Sequence, residues 1–135
     1  MGVLSLVQAE AVKGKRILLV DDDALVLSVV REMLEADQHR VDLATNGLEA
    51  LKQIERGSFD LIITDINMPG LDGIGLYRAI ERLWPDLRER VMFIATPRDD
   101  DATRDFLAET AVSYLAKPFG LSDLRRAVGL LLRAA

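Results

Sequence analysis

The sequence predicts an α/β domain with a doubly wound, five-stranded parallel sheet. Short β-rich runs alternate with longer helical patterns from Arg16 to the last helix. The runs RILLV, LIIT and VMFIA are continuously apolar, as expected of strands buried on both faces. The segments between strands carry apolar residues at helical spacing, which covers a parallel sheet on both sides.

Taken in order, Arg16 to Val20 is the first strand, and Ala24 to Ala36 the first helix, with Asp23 suited to cap it. Val41 to Ala44 is a second strand, interrupted by Asp42. Gly47 to Arg56 places Leu48, Leu51 and Ile54 at helical spacing. Leu61 to Thr64 is the third strand, and the MPGLDG that soon follows is a turn cluster. Gly73 to Trp84 sets Leu76, Ile80 and Leu83 on one helical face, with Pro85 as the stop. Val91 to Ala95 is the fourth strand, Asp101 to Glu109 a short helix and Ser113 to Ala116 the fifth strand. The last helix carries Leu121, Leu124, Val128 and Leu131 on one stripe. Residues 1–14 read as a linker or amino-terminal extension, with a short helix at Ser5 to Val12, and 15–135 as the domain.

Composition narrows the function classes. The chain has 135 residues, half of them hydrophobic and 29% charged, which is one ordinary globular domain. A net charge of -5, with Lys and Arg scattered among acids, gives a nucleic-acid partner little support. There are no cysteines, so disulfide and thiol chemistry are excluded. No apolar run approaches the roughly 20 residues that span a bilayer, and MGVLSLVQAEAVKGK lacks the pattern of a signal peptide. The expectation is a cytoplasmic domain.

In open α/β sheets ligands bind outside the carboxyl ends of the strands. The first strand here ends in Asp21-Asp22-Asp23, the third in Asp65, the fourth in Thr96 and the fifth in Lys117. Asp21, Asp22 and Asp65 fall close together at one sheet edge, where unpaired carboxylates repel and raise one another's pKa values. A hard divalent cation resolves this, and Mg²⁺ uses one or two carboxylates plus phosphate oxygens. Lys117 adds a mobile charge and Thr96 a hydroxyl donor, completing a site for phosphoryl transfer to Asp65.

The fragments VDDD, TDINMPGLDG, FIAT and YLAKPF, in this order and spacing, resemble the receiver domain of two-component response regulators from about Arg16 to Leu132. The resemblance implies the flavodoxin-like (βα)5 fold, a phosphohistidine donor on a histidine kinase or a histidine phosphotransfer domain, and Asp65 as phosphoacceptor. It implies Mg²⁺, with Mn²⁺ as a substitute, held by Asp22, Asp65 and the backbone carbonyl of Asn67, with Asp21 acting through a water. It implies that Lys117 and Thr96 bind the phosphoryl group, that Lys117-Pro118 is cis, and that Thr96 and Tyr114 form a switch pair. DGIGLYRAIERLWPDL, RVMFIAT, RDFLAE and KPFGLSDLRRAV are similar to receivers at the carboxyl end of hybrid sensor kinases.

Pro97 departs from the pattern. The family places there a small residue whose N–H helps hold the phosphoryl group, and proline has none. Pro97 is therefore the feature that supports an alternative, a phosphorylation-independent interaction module. A multiple-turnover phosphatase would need a second acid two residues after the nucleophile, where this chain has Asn67. Tyr114 reads equally as a core aromatic or a switch residue, His39 as an exposed turn residue, and Asp99-Asp100-Asp101 as a solvated helix start. The first helix opens A-L-V-L-S-V-V, which is either deep burial or an apolar patch near Asp65 for docking a helical bundle that carries the donor.

Overall fold

The computed structural model describes residues 13–95, 101–110 and 112–134. The strands are β1 (Arg16–Val20), β2 (Arg40–Ala44), β3 (Leu61–Asp65), β4 (Val91–Ala95) and β5 (Ser113–Ala116). The helices are α1 (Ala24–Ala36), α2 (Gly47–Arg56), α3 (Gly73–Leu83), α4 (Asp101–Thr110) and α5 (Leu121–Ala134), with a 3-10 turn at Pro85–Arg90. All strands are parallel, in the order β2-β1-β3-β4-β5. The strand order turns back at β1, so the two directions of winding meet between β1 and β3, where such sheets bind ligands.

The continuous apolar runs are buried as their composition requires. Every residue of β3 and β4 is buried, as are Ile17 to Val20 of β1. Leu27, Val30 and Leu34 of α1 pack with Leu124, Val128 and Leu132 of α5 on one face. On the other, Ala50 and Ile54 of α2, Leu76, Tyr77 and Ile80 of α3, and Phe106 of α4 surround Leu18, Ile62 and Phe93. Fully burying such a side chain contributes about 1.5–3 kcal/mol, so these two layers hold the sheet edge in place. The capping residues act as their chemistry suggests: Asp23, Asn46 and Asp72 each accept from backbone N–H groups of the helix they start.

Several expectations need correction. α2 buries Gly47, Ala50 and Ile54, while Leu48 is exposed and Leu51 half-buried. The cause is close approach: a Cβ on Gly47 would lie 2.5 Å from the Leu71 carbonyl oxygen, so only glycine can face the β3–α3 loop. In α3 the buried face takes in Tyr77 and leaves Leu83 exposed at the last helical residue. On α5 the stripe is Leu124, Val128 and Leu132, with Leu121 exposed at the start and Leu131 half-buried. Arg40 extends β2 by a residue, its N–H donating to the Lys15 carbonyl. Asp42 is tolerated in β2 because Arg16 bonds it at 2.9 Å while lying over the Phe59 ring.

His39 is buried rather than exposed. Its Nδ1 accepts from the Lys15 N–H at 3.2 Å, and burial lowers its pKa. The expected helix at Ser5 to Val12 lies outside the described residues. Among the described residues no helix is long and apolar enough to cross a membrane.

Candidate functional site

The parallel registers bring the polar residues to one edge. Val20 pairs with Ala44 and Thr64, Asp65 with Ile94, and Ala95 with Ala116. Asp21, Asp65 and Lys117 therefore emerge side by side, and the Lys117 N–H donates to the Ala95 carbonyl at 2.8 Å. Asp21 and Asp65 are 1% and 9% exposed, whereas Asp22 is open to solvent. One carboxylate oxygen from each of Asp21, Asp22 and Asp65 lies within 4.8 Å of the other two.

The three consecutive aspartates serve different ends. Asp23 caps α1 through Leu25 N at 2.9 Å and Val26 N at 3.5 Å. Asp21 turns inward, where its Oδ1 accepts from Asp23 N at 2.9 Å. Its Oδ2 is buried with no hydrogen-bond partner among the described residues, and the nearest cation, Lys117 Nζ, stands 3.7 Å away. Burial, then the neighbouring Asp65, outweigh the Asp23 N–H and Lys117 and push Asp21 up to about 6. Asp65 is likewise raised by burial, against Lys117 and the backbone N–H groups of Ile66 and Asn67.

A buried carboxylate oxygen without a partner costs free energy unless something compensates it. Here it belongs to an all-oxygen donor set open on the Asp22 side, which fits a hard divalent cation. Asn67 is exposed directly after Ile66, whose N–H holds Asp65 Oδ1 at 2.8 Å.

Two supporting residues escaped the sequence reading. Thr64 Oγ1 donates to the Asp65 carbonyl at 2.9 Å. Gly73 donates its N–H to the Ile66 carbonyl, and a Cβ there would lie 2.2 Å from the Asp65 carbonyl oxygen. Its signal was available in the turn cluster, because a glycine straight after the capping Asp72 marks a close approach of backbone to backbone. The Thr64 contact has no sequence signal, since threonine is common in any strand.

The Lys117–Pro118 peptide is cis. Tyr114 is 54% exposed on the edge strand β5, which excludes the reading of a core aromatic. Thr96, Pro97 and the acids Asp99 and Asp100 lie outside the described residues.

The sequence pattern of the response regulator receiver domain matches residues 17–129, and the chain belongs to that family. It is 37% identical over 119 residues to the response regulator MprA of Mycobacterium leprae, covering 87% of this chain and 51% of MprA. It is 35% identical over 123 residues to the sensor histidine kinase AruS of Pseudomonas aeruginosa, covering 90% of this chain and 12% of AruS. The chain thus spans about half the length of the first relative and an eighth of the second. Among solved structures, the receiver domain of a signal transduction histidine kinase from Syntrophus aciditrophicus superposes with a TM-score of 0.82 at 28% identity, covering 90% of this chain and 92% of that one. The chemotaxis protein CheY4 of Vibrio cholerae does so at 0.76 and 26%, covering 88% and 99%.

Proposed function

We propose that this domain accepts a phosphoryl group on Asp65 from a phosphohistidine, on a histidine kinase or a phosphotransfer protein, and hydrolyses it slowly. The observation that carries this reading is the unpartnered, buried Asp21 Oδ2 beside Asp65, Asp22 and Lys117. Three carboxylates against one lysine leave the site with excess negative charge, which a divalent cation would offset before the phosphoryl group enters.

Asp21, Asp22, Asp65 and the Asn67 carbonyl would hold Mg²⁺, which neutralises the carboxylates and draws charge off the phosphoryl oxygens. Ile66 N–H engages Asp65 Oδ1, which orients the carboxylate and leaves Oδ2 as the nucleophile. In the transfer an oxygen–phosphorus bond forms at Asp65 as the phosphorus–nitrogen bond to the imidazole breaks, and the imidazole leaves with the electron pair. Lys117 moves from Asp21 to a phosphoryl oxygen, and the Thr96 hydroxyl donates to another. With Thr96 drawn inward, the Tyr114 ring follows and reshapes the exposed β5 face.

The donor docks on α1. Leu25 is 71% and Val29 41% exposed, one helical turn apart, just beyond the Asp23 cap. The opposite face, Leu27, Val30 and Leu34, is buried, so of the two alternatives for this helix the exposures of Leu25 and Val29 favour the apolar patch. An exposed apolar strip beside an acceptor suits a helical bundle presenting a histidine.

The test is intact mass after incubation with Mg²⁺ and a small-molecule phosphodonor, with Asp65→Asn as control. A single alkali-labile phosphoryl adduct, absent from the control, supports the reading. No adduct from either a small donor or a phosphorylated kinase would favour the phosphorylation-independent module that Pro97 suggests.

A further inference from the structure

A groove of about 550 Å³ runs between the carboxyl half of α1 and α5, on the face of the sheet away from α2 and α3. Leu34, Leu124 and Val128 form its buried floor, with Met33, Leu121 and Leu130 along the rim. Leu130 is 62% exposed although it stands well inside the helix. Beside it, Gly129 has no reason within the described fold to be glycine. A Cβ there would meet nothing closer than the Arg133 guanidinium at 3.8 Å, an ordinary contact, and glycine is a poor choice for a helix interior. What it leaves is a notch in α5 that admits a close neighbour.

The amino-terminal segment of the chain begins at the end of this groove. His39 lines it, and His39 Nδ1 accepts from the N–H of Lys15 at 3.2 Å. Between Lys15 and Lys13, Gly14 takes a φ of +70°, so the backbone bends off the line of β1 there. Residues 1–12, outside the described residues, suffice for about 18 Å of helix, close to the length of α5, about 21 Å. Helical spacing sets Leu4, Val7 and Ala11 on one side, with Glu10, the one acid of the segment, flanking Val7.

Charge separates the possible occupants. Arg125 is held by Asp37 at 2.7 Å, whereas Arg126 lines the groove with no ion pair among the described residues. A second copy laid symmetrically on the groove would set Arg125, Arg126 and Arg133 against their own counterparts, a like-charge contact that disfavours it. We infer that residues 1–12 pack along the α1–α5 groove of their own chain as an amphipathic helix, the apolar side over Leu130 and the Gly129 notch and Glu10 facing Arg126. Leu25 and Val29 stand at the other end of α1 and stay open.

The test uses the full chain, isotope-labelled and carrying a nitroxide on Ser5→Cys, since the sequence has no other cysteine to label. Paramagnetic broadening should reach the amides of Met33, Arg126, Gly129 and Leu130, and spare Leu48 and Leu83 on α2 and α3 across the sheet. Leu130→Asp, at an exposed position that keeps the fold, should lower the ratio of docked to open chain about tenfold. Gly129→Gln should lower it as well by filling the notch, and Glu10→Lys about two- to fivefold. Chains carrying only the nitroxide, mixed with chains carrying only the isotope, should give no broadening. The inference is overturned if broadening stays beside Lys13, if it spreads over both faces, or if Leu130→Asp and Gly129→Gln leave it unchanged. Broadening in the mixed sample would overturn it too, by assigning the groove to a second copy.

Discussion

Replacing Asp21 with asparagine should make the metal-free domain more stable at neutral pH, despite its place in the middle of the site. Burial and Asp65 raise the Asp21 pKa from 3.8 to about 6. A shift of about two units corresponds to a ceiling of about 3 kcal/mol, and water entering on the open Asp22 side brings this to about 1–2 kcal/mol. Asparagine keeps an oxygen for the Asp23 N–H and removes a charge that Lys117, 3.7 Å from Oδ2, offsets only in part. Because the folded-state pKa is raised, the protonated carboxyl contributes its full stability below the unfolded value near 4, and that contribution is lost as pH rises through about 6. Wild type and variant should therefore unfold alike near pH 4 and separate above about pH 6. Urea unfolding with a chelator present would measure it, and the thermal midpoint should rise by about 3–10 °C. Adding Mg²⁺ should reverse the order, since only wild type retains all three carboxylates for the cation. A variant no more stable near pH 8, or a difference independent of pH, would refute the reasoning.

Other perturbations give equally direct readings. Pro97→Ala supplies the backbone N–H that the receiver pattern carries at this position; a charge-assisted bond from it to a phosphoryl oxygen is worth about 1.5–3 kcal/mol, or roughly 10- to 100-fold in affinity for a phosphoryl analogue. Unchanged analogue affinity and phosphoryl lifetime would show that this donor has no role. Gly73→Ala forces a Cβ to 2.2 Å from the Asp65 carbonyl oxygen and 2.8 Å from Ile66 Cα, so it should cost about 2–3 kcal/mol in urea unfolding and slow phosphorylation as well. A variant unfolding like wild type would mean that the β3–α3 loop yields easily. Leu25→Ser with Val29→Ser should slow transfer from a phosphorylated kinase about tenfold or more and leave phosphorylation by a small donor intact. Equal slowing with both donors would place the defect in the site rather than in docking.

The sheet was legible because a strand buried on both faces has little choice but to be continuously apolar, as Leu61 to Ile63 and Val91 to Ala95 are. The clustering of Asp21, Asp22, Asp65 and Lys117 was legible for a related reason: each ends or follows a strand, and parallel pairing fixes which ends align. Rotation of the helices was less legible. Leu48 and Leu51 are as apolar as any core residue, but the approach of Leu71 selects Gly47 and Ala50 for the inner face. His39 was misjudged because its partner is the Lys15 N–H, 24 positions away in the chain. Tyr114 offered no clue to its direction, since a residue on an edge strand can face either side.

The strand order also divides labour across the sheet. The carboxylates stand at the carboxyl ends of β1 and β3, interior strands with partners on both sides, whereas Lys117 follows β5, an edge strand of four residues paired only to β4. Half of β5 already faces outward. The chemically demanding half of the site is thus anchored where displacement is costliest, and the half that would report on it lies where displacement is cheapest. Substitutions along β5 and α5 can accordingly reshape the outer surface while the arrangement of the carboxylates stays constant.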